Sequence, residues 1–137
     1  VFGRIDPSFR ALASEPAATA GQVRVAEMHF GPLPRDYQAL IQEVTELELE
    51  HQDGQYLRIW GPLGCKEMDE GYGIRARIPD AIPIGDDGGG RVLFYQNGPR
   101  GAGLYLVGHG NLDGADATWI ARDLVALLGE GSGIDRF

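Results

Sequence analysis

Three histidines, one cysteine and twenty carboxylates are the side chains of this 137-residue chain with the means to move protons, bind metals or attack a carbonyl. His29, His51 and His109 are scattered without metal-ligand spacing, and no serine or cysteine sits in a recognisable nucleophile turn. Each histidine therefore reads as solvated or as lying at the edge of a core. Cys65 is near the start of a short helical stretch, a place that lowers a thiol's pKa, but it has no partner cysteine for redox work and reads as a passive thiol. A single cysteine also excludes an internal disulfide and a cysteine-built zinc site, which fits a reducing compartment. Paired carboxylates acting as general acid and base need a pocket, and the sequence locates none. Asp86-Asp87-Gly88-Gly89-Gly90 invites a reading as a calcium or phosphate loop, yet it lacks the ligand ladder of the first and the Lys-Ser/Thr of the second. Its glycines permit positive φ and its aspartates can bond nearby backbone N–H groups, so a strand-connecting turn explains it. No catalytic residue, metal or cofactor is expected.

The carboxylates remain as carriers of charge. They cluster at Glu43, Glu46, Glu48, Glu50 and Asp53, again at Glu67, Asp69 and Glu70, and at Asp86 and Asp87. Solvated surface accounts for any one of them. Together with a formal net charge of −8 they disfavour direct contact with nucleic acid or anionic lipid and favour a basic partner. Trp60, Tyr72 and Tyr56 lie close to these acids in sequence and are of the type that anchors interfaces, although Trp60 is equally suited to a core.

The elements that position these residues follow from periodicity. Val1 to Pro16 shows no clear period and reads as an irregular N-terminal arm, with one domain from residue 17 to 137. A chain beginning with Val1 rather than Met reads as trimmed or processed. Val23, Ala26 and Phe30 predict a short helix that Gly31-Pro32 stops, and Tyr37, Leu40, Ile41 and Val44 predict a second helix after Pro34. The period then changes to two. Leu47 and Leu49 alternate with Glu46, Glu48 and Glu50, and Asp53-Gly54 turns the chain into Tyr56–Trp60, a β-hairpin. A three-residue loop pairing Leu49 with Ile59 and Glu50 with Arg58 is favoured, which exposes the three glutamates and buries Leu47, Leu49, Leu57 and Ile59. Gly61-Pro62 opens a helical stretch to Glu70, and Ile74 to Ile78 reads as extended chain. Strands are expected over Arg91–Tyr95 and Leu104–Val107. Thr118 is expected to cap a closing helix that carries Ile120, Leu124, Leu127 and Leu128. Helices followed by a run of antiparallel strands and a final helix predict an α+β fold. The apolar runs are far shorter than the roughly 20 residues of a membrane span and no signal pattern opens the chain, so a cytosolic protein is expected.

Several of these segments, in this order, resemble the SMI1/KNR4 (SUKH) family. They are Leu33-Pro34-Arg35-Asp36-Tyr37, Leu57-Arg58-Ile59-Trp60-Gly61-Pro62, Glu70-Gly71-Tyr72, the run from Ile82 through Gly85-Asp86-Asp87 to Gly90, and Leu104-Tyr105-Leu106-Val107 before a leucine-rich helix. The resemblance covers about Ala17 to Gly129. It departs where the family often has Asn-Gly-Gly after the second helix, since this chain runs straight into Thr45-Glu46-Leu47. The resemblance implies a non-catalytic binding domain with the SMI1/KNR4 arrangement of sheet and helices. Bacterial members of the family look like immunity proteins that neutralise toxins, often nucleases, and fungal members like regulators of cell-wall synthesis. On this basis the expected partner is a cognate protein toxin with a basic nuclease domain, and the alternative is a regulatory or scaffold module that holds peptides or signalling partners. Glu46, Glu48, Glu50, Asp53, Trp60, Glu67, Asp69, Glu70, Tyr72, Asp86 and Asp87 are the expected partner-binding residues.

Overall fold

Each strand pairs with the one the chain makes next, so that the order across the sheet is the order in sequence. A computed structural model describes residues 2–137. Its seven antiparallel strands are β1 (Phe9–Glu15), β2 (Thr45–His51), β3 (Tyr56–Ile59), β4 (Ile82–Asp86), β5 (Arg91–Gly98), β6 (Gly101–Gly108) and β7 (Thr118–Ala121). Five helices accompany them: α1 (Ala20–Phe30), α2 (Arg35–Ile41), α3 (Pro62–Tyr72), α4 (Ile74–Arg77) and α5 (Leu124–Glu130), followed by a 3-10 turn at Ile134–Arg136. The fold is α+β.

Local chemistry explains the helix ends. Thr19 and Gln22 form a reciprocal capping box at the start of α1, and Gly31 ends it at φ 85°. Pro62 occupies the first position of α3, where its missing N–H has no intrahelical partner to lose. Tyr37, Leu40 and Ile41 turn one face of α2 into the core, each burial contributing about 1.5–3 kcal/mol. The Tyr37 hydroxyl donates to the Trp60 carbonyl at 2.7 Å and lies 3.1 Å from the Cys65 sulfur, which ties α2 to the chain entering α3.

The sheet has unlike faces at its two ends. In β2 and β3 the register sets Leu47 opposite Ile59 and Leu49 opposite Leu57 on the buried face, while Glu48 opposite Arg58 and Glu50 opposite Tyr56 share the other. In β5 and β6 both faces are covered, and Val92, Leu93, Phe94 and Leu104–Val107 are all buried. Gly85 permits the crossing between β3 and β4, because a Cβ there would lie 2.2 Å from the Arg58 carbonyl oxygen.

Four expectations from the sequence are corrected. Residues 1–16 are not an irregular arm throughout: Phe9–Glu15 is the edge strand β1, paired with β2, and Phe2 and Phe9 are buried. The hairpin loop has three residues, but they are Gln52–Gly54, since the His51 N–H donates to the Gln55 carbonyl; every pair therefore shifts by two residues and the faces are kept. Ile74–Arg77 is a helical turn, not extended chain, with the Asp69 carboxylate accepting from the Arg75 N–H at its start. Thr118 begins β7 instead of a helix. Trp119 lies edge-on to Tyr105, and α5 starts later, capped by Asp123, whose side chain accepts from the Ala126 N–H at 2.8 Å.

A cleft between the polar sheet face and helix α3

The polar face of β2 and β3 is completed by an irregularity in the edge pairing. Between the pairs Ala13–Glu48 and Glu15–Thr45, β1 advances two residues and β2 three, so β2 carries one extra residue there. Glu46 lies in this interval with φ 47°, the only non-glycine with positive φ among the described residues. Such backbone costs a side-chain-bearing residue roughly 1–2 kcal/mol. The offset comes from what the carboxylate then reaches. One oxygen accepts from the Gly61 N–H at 2.5 Å, and the other from the Arg58 guanidinium at 3.0 Å.

Gly61 is the cap residue of α3 and has no side chain to cap with, so Glu46 supplies a negative group at that helix N-terminus from across the fold. Space for it exists because Gly64 is glycine: a Cβ there would stand 3.0 Å from the Glu46 oxygen and 3.2 Å from the Trp60 Cβ. This bond fixes the start of α3 over β2 and β3 and leaves a cleft of about 390 Å³ between them.

Glu46, Arg58, Glu67 and Asp86 supply the charged lining of that cleft, and Trp60, Leu63 and Met68 its apolar walls. Three carboxylates thus face one guanidinium. Asp86 accepts from the Trp60 indole N–H at 2.8 Å and from the Gly88 amide, which orients the carboxylate and the ring together. Beside the cleft, Glu48 accepts from the Tyr56 hydroxyl at 2.7 Å; burial, and then that carboxylate, push the Tyr56 phenol up to about 12. Glu46, Glu48 and Asp86 are therefore held in place before any partner arrives, and the charge of the lining is negative.

The expected partner-binding residues do not all converge here. Glu46, Glu67, Asp86 and Trp60 line the cleft, with Glu48 on the same sheet face. Trp60 is only 3% exposed and forms a wall rather than a projecting anchor. Glu50 is paired with Arg10 at 2.7 Å, Glu70 with Lys66 at 3.7 Å, and Asp53 stands exposed on the hairpin loop. Asp87 is turned into its own loop. Burial alone would raise its carboxyl, but the N–H groups of Arg91 and Gly89 and the Arg91 guanidinium at 2.7 Å outweigh burial and hold it below the ordinary 3.8. Asp69 is withdrawn from the surface: it is buried, 2.7 Å from His29, and its other oxygen receives the Arg75 N–H. Tyr72 is half exposed and stacks on His109 with ring centroids 4.1 Å apart.

Sequence reasoning missed Arg58, Leu63 and Met68 as lining, and Arg10 as the partner of Glu50. Arg58 had a readable signal, its place opposite a glutamate in the hairpin; Arg10 had none while β1 was unseen. Cys65 is fully buried, and burial pushes its thiol up to about 12, so it is protonated at neutral pH. Among the described residues no group of three His, Cys, Asp or Glu side chains is placed to hold a metal ion, and no helix is long and apolar enough to cross a membrane. No protein-family model matches the chain, and no curated protein matches it.

Proposed function

We propose that this chain is a non-catalytic binding protein of the SMI1/KNR4 (SUKH) kind, an immunity protein that neutralises a basic toxin, a nuclease domain, by covering its active face. The observation that carries this reading is the cleft itself, where hydrogen bonds hold Glu46 and Asp86 beside Arg58, and an exposed Glu67 adds its charge, between apolar walls. A nuclease groove is built to receive phosphates, so an array of carboxylates competes for the same basic side chains without any chemistry of its own. Net charge of −8 steers the encounter in the same direction. The sequence order of the family-like segments supports the assignment independently of the cleft.

The test is co-expression of the full chain with the protein encoded immediately upstream of its gene, followed by titration calorimetry and a nuclease assay. A one-to-one complex that abolishes nuclease activity and weakens as salt rises is the expected result. A complex insensitive to salt, or none, would overturn the immunity reading and return weight to a regulatory scaffold.

A further inference from the structure

Helix α3 walls the acidic cleft with Leu63, Glu67 and Met68, and its last residue, Tyr72, follows Met68 by one turn. There the Tyr72 ring stacks on His109, with centroids 4.1 Å and planes 30° apart. On its other side His109 is tied to the turn after β4: its N–H donates to the Gly90 carbonyl at 2.9 Å, and Gly108 before it pairs with Arg91. That turn opens with Asp86, which lines the cleft, and Asp87. His109 thus bridges α3 and the end of β4 beside the carboxylate that a partner's cations would meet.

The charged groups around the imidazole are few. Tyr72 covers it from α3, Asp86 and Asp87 act on it from the turn, and Arg91 at the start of β5 is held by Asp87 at 2.7 Å. His29 and His51 stand 2.7 and 3.7 Å from Asp69 and Asp53, whereas His109 is paired with no carboxylate among the described residues. Its Nδ1 is buried without a hydrogen-bond partner, so its place suits the neutral ring with the proton on Nε2.

We propose that His109 is a proton-operated counter-charge at the cleft: neutral, it leaves Asp86 and Asp87 to the cations of a basic partner, and protonated, it competes with them. This rests on the reading of the chain as a binder of a basic partner and adds how that binding is regulated. Burial holds the imidazole below the ordinary 6.5 against the pull of the two aspartates. A cation docked at Asp86 cancels part of that pull and lowers the value further. By the same coupling, affinity for the cation is complete above 6.5 and falls as pH drops through the folded-state value.

The probe is hexa-arginine, whose guanidinium charges do not titrate in this range, added to the full chain at low salt. Its affinity, read by calorimetry, is expected to fall at least about threefold between about pH 7.5 and about pH 5.5, and by clearly less in His109→Phe, which keeps a ring against Tyr72. In the wild-type chain, saturating peptide is expected to move the titration of the His109 ring C–H proton resonance to lower pH, a reading that needs no variant. Equal pH dependence of wild type and His109→Phe overturns the proposal, as does a His109 titration that the peptide leaves in place or moves up; in either case the basic-partner reading stands so long as the peptide binds. A chain that binds no hexa-arginine at either pH overturns the two together.

Discussion

The Glu46 carboxylate accepts the Gly61 N–H at 2.5 Å from a backbone held at φ 47°. A locally unfavourable conformation on β2 and the uncapped start of α3 thus answer one another, and the cleft exists because they do. In Glu46→Gln the charge at the helix N-terminus and the ion pair with Arg58 both go, and we expect a loss of about 1–3 kcal/mol. Glu46→Ala keeps the backbone strain and loses the cap. Glu46→Gly loses the cap but recovers about 1 kcal/mol of strain, so it should be less damaging than the alanine variant. Urea midpoints of the three variants at constant m-value decide the order; glycine ranking below alanine would show that the backbone is not strained.

Asp36 ties three further elements together. Its carboxylate accepts from the Tyr95 hydroxyl and from the Leu124 N–H at the start of α5, and so joins α2, β5 and α5. Tyr95→Phe removes one donor and leaves the carboxylate half-buried with less compensation, which should cost about 1–3 kcal/mol. Binding of the partner should be unaffected, because the cleft lies on the other side of β2 and β3. A Tyr95→Phe chain as stable as wild type in urea would mean that the Leu124 and Tyr37 N–H groups satisfy Asp36 without it.

His109 stacks on Tyr72, and burial lowers its imidazole below the ordinary 6.5, against the pull of Asp86 and Asp87 toward protonation. The unfolded chain therefore takes up the proton first. Stability present above 6.5 is lost as pH falls from there through the folded-state value. Wild type should show a declining urea midpoint between about pH 7 and about pH 5, and His109→Phe, which keeps a ring against Tyr72, a flatter one. A His109 ring C–H proton resonance titrating above 6.5 would contradict the sign.

Asp87 acts in a lower window. Its folded-state value lies below 3.8, so its contribution is complete above that value and disappears as pH falls through the depressed one. Asp87→Asn should be less stable than wild type near neutral pH and converge with it at strongly acid pH. Parallel curves throughout would indicate that Arg91 does not depend on the charge.

What the sequence revealed of this architecture followed period and burial. Helix α2 was legible because Tyr37, Leu40 and Ile41 repeat on a strongly apolar face, and the buried face of β2 and β3 because Leu47, Leu49, Leu57 and Ile59 alternate. Strand β1 was not, since all its residues but Phe9 are exposed and Ala11 and Ala13 give no period. Thr118 carries a cap-type side chain, but Ile120 and Ala121 serve a strand as well as a helix, and the competing cap Asp123 comes later. The candidate site was legible as a list of acids and not as a cleft. Nothing local in Thr45-Glu46-Leu47 announces a bulge; it is set by the chain beyond β2, at Gly61 and Gly64.

This distinction decides which charges are worth reversing. Reversal at Glu46, Glu48 and Glu50 together would unseat the start of α3 through Glu46 and break the Arg10 pair through Glu50, so lost binding would report folding as much as contact. Glu67 and Asp53 are exposed, and neither makes a hydrogen bond that holds two elements together. Glu67 lines the cleft and Asp53 sits on the distal hairpin loop. Glu67→Lys should therefore weaken the complex about tenfold or more at low salt, mostly through slower association, with an unchanged urea midpoint. Asp53→Lys, the same change in net charge, should slow association only slightly. Equal effects of the two would mean that overall charge, and not the cleft, governs recognition.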